Sequence, residues 1–500
     1  MRNAEPPRST SRQRNASGAA AAGIVGDNWP LVVRTVRLMR WSSSCAESFE
    51  VVGSWWLPDT RDRRMSGRLS YRPDHGLRLR CGSGLLIGGS LDESVTLHGV
   101  VDGEYWTLAE CRTWSAGSQG HELEPRYAVA GVGLEPGELK GFDEITVEFD
   151  GGWHMLDVPP RGLHTWRNTS LDVAGVVGDD VRVSVRSELE SLDPAELGGF
   201  GLVDRLFFTG TTASPVSFFE LFDRVVAPLH DLVRLGLQRD VAIRSCTIAG
   251  PATMYERRSG RRMVERCSVY WHPTSAPCRL DGTVGPAAVV VPTDPSRFEL
   301  FMAAWFRVHH DFDLPLQLRL ADVIADLVFA QPKFLLAAQA LEALHRRLHP
   351  GQPHEAGAAA RAAALAAATG EHRQVLEQLL AHAHEPTFRQ RIRQLLNNVQ
   401  PHVSEVAGDS LKDAVGLSVD TRNAVTHWAA NVDEPDELTL VALRLLADAV
   451  FDLNLIQQLG TDNDLETVAD AHLAKHVDYW LHQALLRPGV ERPSGPSRHP

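Results

Sequence analysis

Residues 49–81 read FEVVGSWWLPDTRDRRMSGRLSYRPDHGLRLRC. In the second half of this stretch the apolar side chains fall on alternate positions: Leu69 and Tyr71, then Leu77, Leu79 and Cys81. A period of two turns one set of side chains to a buried face and the other to solvent, which is the pattern of a β-strand. The alternation returns at Ile145, Val147 and Phe149, and again at Val181, Val183 and Val185. Between Val100-Val101 and Tyr105-Trp106-Thr107-Leu108 stands Asp102-Gly103, a pair suited to the positive φ of a two-residue hairpin turn. These runs predict a mainly β region ending near residue 215, built as a sandwich or an open barrel.

Beyond it the period changes. In residues 217–236, SFFELFDRVVAPLHDLVRLG, the side chains of Phe218, Leu221, Val225, Leu229 and Leu232 share one helical face. Pro228 must kink or split that helix, because it lacks an N–H and crowds the preceding turn. Shorter strands are expected at 242–248, 268–271 and 287–291, and a helix at 298–308. After about residue 315 the chain reads as helix throughout, at 321–330, 333–348, 372–383, 387–399, 420–430 and 436–459, with Pro386 and Pro401 as punctuation. The alanine-rich stretch 356–369 is helical by propensity and equally suited to a solvated connector. Four or five amphipathic helices with short links make an antiparallel bundle. The fold class is therefore α+β: a β-rich domain with added helices over 45–315, then an all-α bundle over 316–465. Residues 1–44, rich in Ser, Arg, Ala and Pro, read as a flexible leader, and 466–500 as a helix with a loose tail.

Composition narrows the function. The longest apolar runs fall short of the roughly 20 residues that span a bilayer, and GAAAAGIV at 18–25 is too short and alanine-rich for an export signal. A cytoplasmic protein with no membrane partner is expected. The six cysteines include no C-x-x-C pair, so a zinc knuckle is not expected and reduced, mostly buried thiols are. A net charge of -13 argues against indiscriminate coating of nucleic acid, which depends on neutralising phosphates, but leaves room for a local basic cleft. All basic residues but Lys140, Lys333, Lys412 and Lys475 are arginine, a bias that carries no functional weight by itself.

Within the bundle, residues 421–427 read TRNAVTH. Asn423 and His427 are four apart and share a helix face. Arg422 lies roughly 140° round from His427, yet its long side chain can reach a common cleft. Asp420 is suited to cap the start of this helix. Two copies of the helix facing across a twofold axis would set two arginines and two histidines around one groove. Such a groove suits RNA cleavage without a metal or other cofactor. Histidine, with a pKa of about 6.5, can take a proton from the ribose 2′-OH or give one to the leaving 5′-oxygen. Arginine can hold the phosphate and stabilise the charge of the transition state. Asn423 can orient the histidine or the backbone beside it. The spacing alone is weak: this is the only Arg-x4-His in the chain, but chance readily supplies one, and a surface arginine with a satisfied core histidine is the plain alternative.

Other candidates are poorer. His309-His310-Asp311 suggests a metal phosphohydrolase but lacks the further ligands that chemistry needs. His382, His384 and Glu385 read as a solvated helix end. GVGLEPG at 131–137 has no strand-to-helix setting and no Lys-Ser/Thr ending, so it reads as a turn. There is no G-x-S-x-G.

Two separated regions resemble one known family. The stretch from Phe49, with Gly53, Trp55-Trp56-Leu57-Pro58 and Gly67-x-Leu69, looks like the opening of the ApeA N-terminal domain, and residues 217–236 fit a later helix of that domain. FLLAAQALEALHRRL at 334–348 and TRNAVTHWA at 421–429 look like the ApeA-like HEPN domain. The tryptophan pair itself reads as a core anchor of its strand. The resemblance implies a metal-independent endoribonuclease of bacterial anti-phage defence by abortive infection. It would dimerise through its HEPN domain, cut tRNA in the anticodon loop, and leave a 2′,3′-cyclic phosphate. Arg422 and His427 match the family's catalytic pair and Asn423 its supporting residue. For Glu342 two readings stay open, an ion pair with Arg422 across the bundle or a solvated carboxylate. The β domain would sense a phage-derived trigger or restrain the nuclease. The rival reading is a non-catalytic HEPN module that binds nucleotide, RNA or a partner protein.

Overall fold

The computed structural model describes residues 45, 47–82, 94–117, 120–155, 172–176, 180–192, 201–256, 262–271, 289, 291–325, 327, 329–351, 355–381, 385–407, 410–427 and 436–460. The expected leader at 1–44, the C-terminal helix and tail at 466–500, His382 and His384 lie outside them.

The opening stretch forms three antiparallel strands, β1 (Phe49–Trp56), β2 (Met65–Arg72) and β3 (Gly76–Cys81). They continue into β4 (Val95–Val101), β5 (Glu104–Gly117) and β6 (Gly120–Glu124). The order β4-β1-β2-β3-β6-β5 closes on itself through the β4–β5 pairing, giving a closed six-stranded barrel. Sequence left the choice between a sandwich and an open barrel; closure removes the edges that either would leave. Asp102 (φ 50°) and Gly103 (φ 86°) make the expected β4–β5 turn. The predicted alternation holds, with Trp55, Leu69, Leu79, Leu97, Leu108 and Leu123 filling the interior. Trp55 donates its indole N–H to the Gly67 carbonyl at 3.1 Å, so the tryptophan that marks the stretch is a structural anchor.

Gly99 lies directly against the Trp55 ring, where an added Cβ would overlap the six-membered ring. Gly99→Ala is expected to destabilise the barrel by about 1–3 kcal/mol, the usual effect of overpacking a filled core. Urea unfolding followed by Trp fluorescence would read this as a lower midpoint, and an unchanged midpoint would show that the ring moves aside at little cost.

β5 bends at Glu110, whose φ is 50°. Before that bend it pairs with β7 (Tyr127–Ala130), and after it with β6. The sheet then runs on through β15 (Cys267–Trp271), β12 (Ile243–Ala249), β8 (Phe142–Phe149), β11 (Gly201–Val216), β10 (Val181–Leu192) and β9 (Asp172–Val176), thirteen strands in all. A separate hairpin joins β13 (Met254–Glu256) and β14 (Arg262–Val264). The β region does not end near residue 215. The late strands β12 and β15 sit in the middle of the sheet, between β7 and β8.

The helix over 217–236 is split, as Pro228 requires. A short α1 (Phe218–Leu221) passes through a π turn (Phe222–Val226) into α2 (Ala227–Leu237), which takes the proline in its first turn, where no N–H is needed. Then follow α3 (Pro295–Asp311), α4 (Asp313–Ala325), α5 (Ala330–Leu348), α6 (Glu355–Ala367), α7 (Gly370–Leu379), α8 (Phe388–Ala407), α9 (Ser410–His427) and α10 (Glu437–Gln458). Pro401 lies inside α8 rather than ending it. Helices α6 and α7 bury no side chain. A second hydrophobic core runs without a break from the sheet through α2, α3 and α4 into α5, α8 and α10, including Val147, Leu232, Trp305, Leu320, Leu341 and Val450. The five described cysteines are buried and free, and burial pushes the Cys45 thiol up to about 12.

His230 of α2 is buried in that core, against Phe149, with Nε2 2.6 Å from the Val241 carbonyl oxygen. Burial, reinforced by Arg234, pushes its pKa from 6.5 down to about 4. Between those values the unfolded chain binds a proton that the folded protein refuses, so the folded state loses stability as pH falls through this window. The loss is on the order of 2–3 kcal/mol. Asp448, raised to about 6 mainly by burial, acts in the opposite sense over part of the same range. The informative quantity is therefore the difference between wild type and His230→Gln: wild type should lose melting temperature more steeply from pH 6.5 to 4.5. Parallel curves would contradict the buried neutral imidazole.

Candidate active site

The motif helix is longer than its sequence suggested. α9 begins at Ser410, so Asp420 is an interior residue and not the N-cap expected of it. Its carboxylate instead faces Arg389 at 3.8 Å, with both side chains largely exposed. Arg422 and His427 consequently stand well inside α9 rather than in its first turn. Ala414, Val415, Ser418, Thr421 and Val425 form the buried stripe that seats α9. Val425 closes a small apolar cluster with Phe334 of α5 and Leu440 and Leu443 of α10. The first turn of α10 is fixed by Asp436, which accepts from the Thr439 N–H at 3.1 Å and the Thr439 hydroxyl at 2.9 Å.

That seating leaves Arg422 at the edge of the bundle, half-buried. Its Nη2 donates to Glu342 Oε1 at 3.2 Å, which decides between the two readings of Glu342. Its Nη1 lies 3.5 Å from Asn423 Oδ1, and its guanidinium carbon lies 5.6 Å from the centre of the Phe388 ring. Three elements thus grip one guanidinium: α5 through Glu342, α8 through Phe388, and α9 itself. The turn that leads into α8 is fixed by the buried Arg391, which donates to the Pro386 carbonyl at 2.9 Å and to Glu385 at 3.0 Å. Asn423 is exposed. The Thr426 hydroxyl donates to the Arg422 carbonyl at 2.6 Å, a back-bond to the residue four before it in the helix. His427 is the last described residue of α9, one turn past Asn423 along the backbone; its side chain is outside the described set.

A guanidinium has five N–H donors, and those not directed at Glu342 or Asn423 remain to meet a phosphate. The arrangement can therefore hold an anion at a fixed position on the bundle surface. Residues 335–465 match the family model Apea-like HEPN, and residues 50–282 match ApeA N-terminal domain 1. The chain belongs to the ApeA-like HEPN family. HEPN domains are generally ribonucleases, and an ApeA-like HEPN behind an ApeA N-terminal domain indicates the anti-phage HEPN nucleases. The motif, the Glu342 pair and the Phe388 contact all fall inside the HEPN match, while the tryptophan-bearing barrel falls inside the N-terminal one. No curated protein and no solved structure matches. Among the described residues no helix is long and apolar enough to cross a membrane.

The remaining sequence candidates go elsewhere. His309 pairs with Asp231 at 3.1 Å, bracing α3 against α2. GVGLEPG forms the loop after β7, with Gly131 at φ 112°. Sequence reasoning missed Phe388, which has no local mark. It also missed a buried ionic ladder in α4 and α10 that joins Arg319, Asp322, Arg444, Asp448 and Asp452. Its signal was present in the sequence: three charges spaced four apart in an otherwise apolar helix.

Proposed function

We propose that this ApeA-like HEPN protein is a metal-independent endoribonuclease of abortive infection that cuts tRNA in the anticodon loop. In this reading it acts in the cytoplasm as a homodimer, with a phage-derived trigger read by the N-terminal domain. The observation that carries the reading is Arg422, fixed by Glu342 and Phe388 and followed at the motif spacing by His427. In the reaction the 2′-OH attacks the adjacent phosphorus, the P–O5′ bond breaks, and a 2′,3′-cyclic phosphate and a 5′-hydroxyl remain. One proton must leave the 2′-OH and one must reach O5′. A single His427 can serve one transfer at a time; two copies around a twofold axis supply both a base and an acid, and Arg422 stabilises the charge on the phosphoryl oxygens. Asn423 positions the backbone or the histidine beside it.

The test is end-group analysis of bacterial tRNA treated with purified full-length protein in excess chelator. Cyclic-phosphate ends in anticodon loops are expected. Products ending in a 3′-hydroxyl, or cleavage that returns only with added divalent metal, would overturn this chemistry.

A further inference from the structure

Helix α10 connects two very different surroundings. At its start, Leu440 and Leu443 pack beneath Val425, three residues from Arg422. Eight residues beyond Arg444, Asp452 is wholly buried and receives a bidentate pair from Arg319 of α4, Nε to Oδ1 at 3.0 Å and Nη2 to Oδ2 at 2.9 Å. Between them, Arg444 meets Asp322 at 2.8 Å and Asp448 at 3.2 Å, and Arg319 meets Asp448 at 3.5 Å. Charges at this depth fix the register of α4 against α10, because any slip would strand a buried carboxylate.

One more side chain joins the ladder, and it comes from the other domain. Gln238 closes the C-terminus of α2 in the left-handed conformation, φ 54°. Its Nε2 donates to Asp452 Oδ2 at 3.1 Å, and its Oε1 accepts from Arg319 Nη2 at 2.5 Å. Glycine is the usual residue at such a cap, since it adopts this conformation without a steric penalty. The glutamine side chain does two things: its Nε2 also donates to the Leu235 carbonyl of its own helix end at 2.6 Å, and it reaches the ladder. Gln238 is also exposed, unlike the ladder it touches. The helix that carries it is tied to the rest of its domain: Trp305 donates to the Pro228 carbonyl at 2.8 Å, and Arg234 pairs with Asp240 at 2.8 Å.

We infer that Gln238 is the polar contact to the buried ladder through which the N-terminal domain biases the pose of α10, and through α10 the position of Arg422. A shift of α2 changes which partner completes Asp452 and Arg319. The helix transmits that change over about 14–18 Å, the span of the nine to twelve residues from Leu443 and Leu440 to Asp452 at 1.5 Å each. The regulatory meaning rests on the nuclease reading above, whereas the mechanical coupling does not.

Hydrogen exchange on the full-length protein separates the two. Gln238→Gly keeps the cap conformation and removes the reach; Gln238→Asn tolerates the cap and is too short to bridge. In both variants exchange in residues 437–446 and 421–427 should quicken by about tenfold or more, the effect of losing hydrogen bonds to charged partners, with barrel residues 95–108 unchanged. Cleavage of bacterial tRNA by the same samples should change in step. Faster exchange confined to residues 235–240 and 448–456 would overturn the coupling, as would an effect of glycine that asparagine does not share. Propagated exchange with an unaltered cleavage rate would overturn the regulatory role. Propagated exchange in a protein that cleaves no RNA, even as wild type, would uphold the coupling and count against the nuclease reading.

Discussion

Arg319→Ala is expected to destabilise the protein by about 3–5 kcal/mol, the effect of breaking a buried ion pair from one side. The arginine is almost wholly buried and serves Asp452, Asp448 and Gln238 together. Burial alone would lower its pKa; the two aspartates outweigh that and hold it charged. Without it, among the described residues Asp452 keeps Gln238, and Asp448 keeps the partly exposed Arg444. Burial already pushes both carboxyls up, Asp448 to about 6. The variant should therefore take up protons at these sites on folding near neutral pH. Denaturant unfolding at pH 7 and pH 5 would reveal this as a defect that lessens in acid. A loss below about 1 kcal/mol at pH 7 would show that water or a neighbouring side chain replaces the guanidinium. Because the second core is continuous from sheet to bundle, the transition should remain shared by both rather than confined to the helices.

The second large effect is on catalysis. Arg422→Ala and His427→Ala are each expected to reduce RNA cleavage by about 10²–10⁴-fold, the range for removing a positioned acid–base group or a donor to developing charge. Folding should survive both changes. Arg422 is half-buried and its pair with Glu342 is partly exposed, so its removal should alter stability by no more than about 1 kcal/mol. Ala414, Val415, Ser418, Thr421 and Val425 form the buried stripe that seats α9. Melting curves on the samples used for cleavage would check this. Lost activity with an intact melting temperature assigns a chemical role, while activity lost together with many degrees of melting temperature would show that the residue holds the bundle instead.

Local patterns made much of this protein legible in its sequence. The alternation around Leu69 and Leu79 and the Asp102-Gly103 turn depend on neighbours a few residues apart, and both appear as read. So does α10, whose apolar stripe and Asp436 cap are local signals. The pairing of Glu342 with Arg422 stood as one of two readings until the bundle brought α5 and α9 together. What the sequence did not disclose is non-local. Closure of the barrel depends on which strands meet across the sheet order, and the central place of β12 and β15 follows from long-range pairing with β8 and β7. The early start of α9 was hidden because Gly416 and the β-branched residues around it have weak helix propensity, and tertiary packing of Ala414, Val415 and Ser418 overrides it. Asp420 looked like a cap because its chemistry suits one; only the preceding helical turns show otherwise.

The most direct test of the central claim is made in cells. Wild type and His427→Ala would be expressed under tight induction in a bacterial host, challenged with phage that wild type is seen to restrict, and the 3′ ends of small RNAs sequenced. The predicted result is new tRNA ends within anticodon loops in wild type alone, appearing on challenge. Equal ends in both strains, or restriction by wild type with no new tRNA ends, would contradict the account.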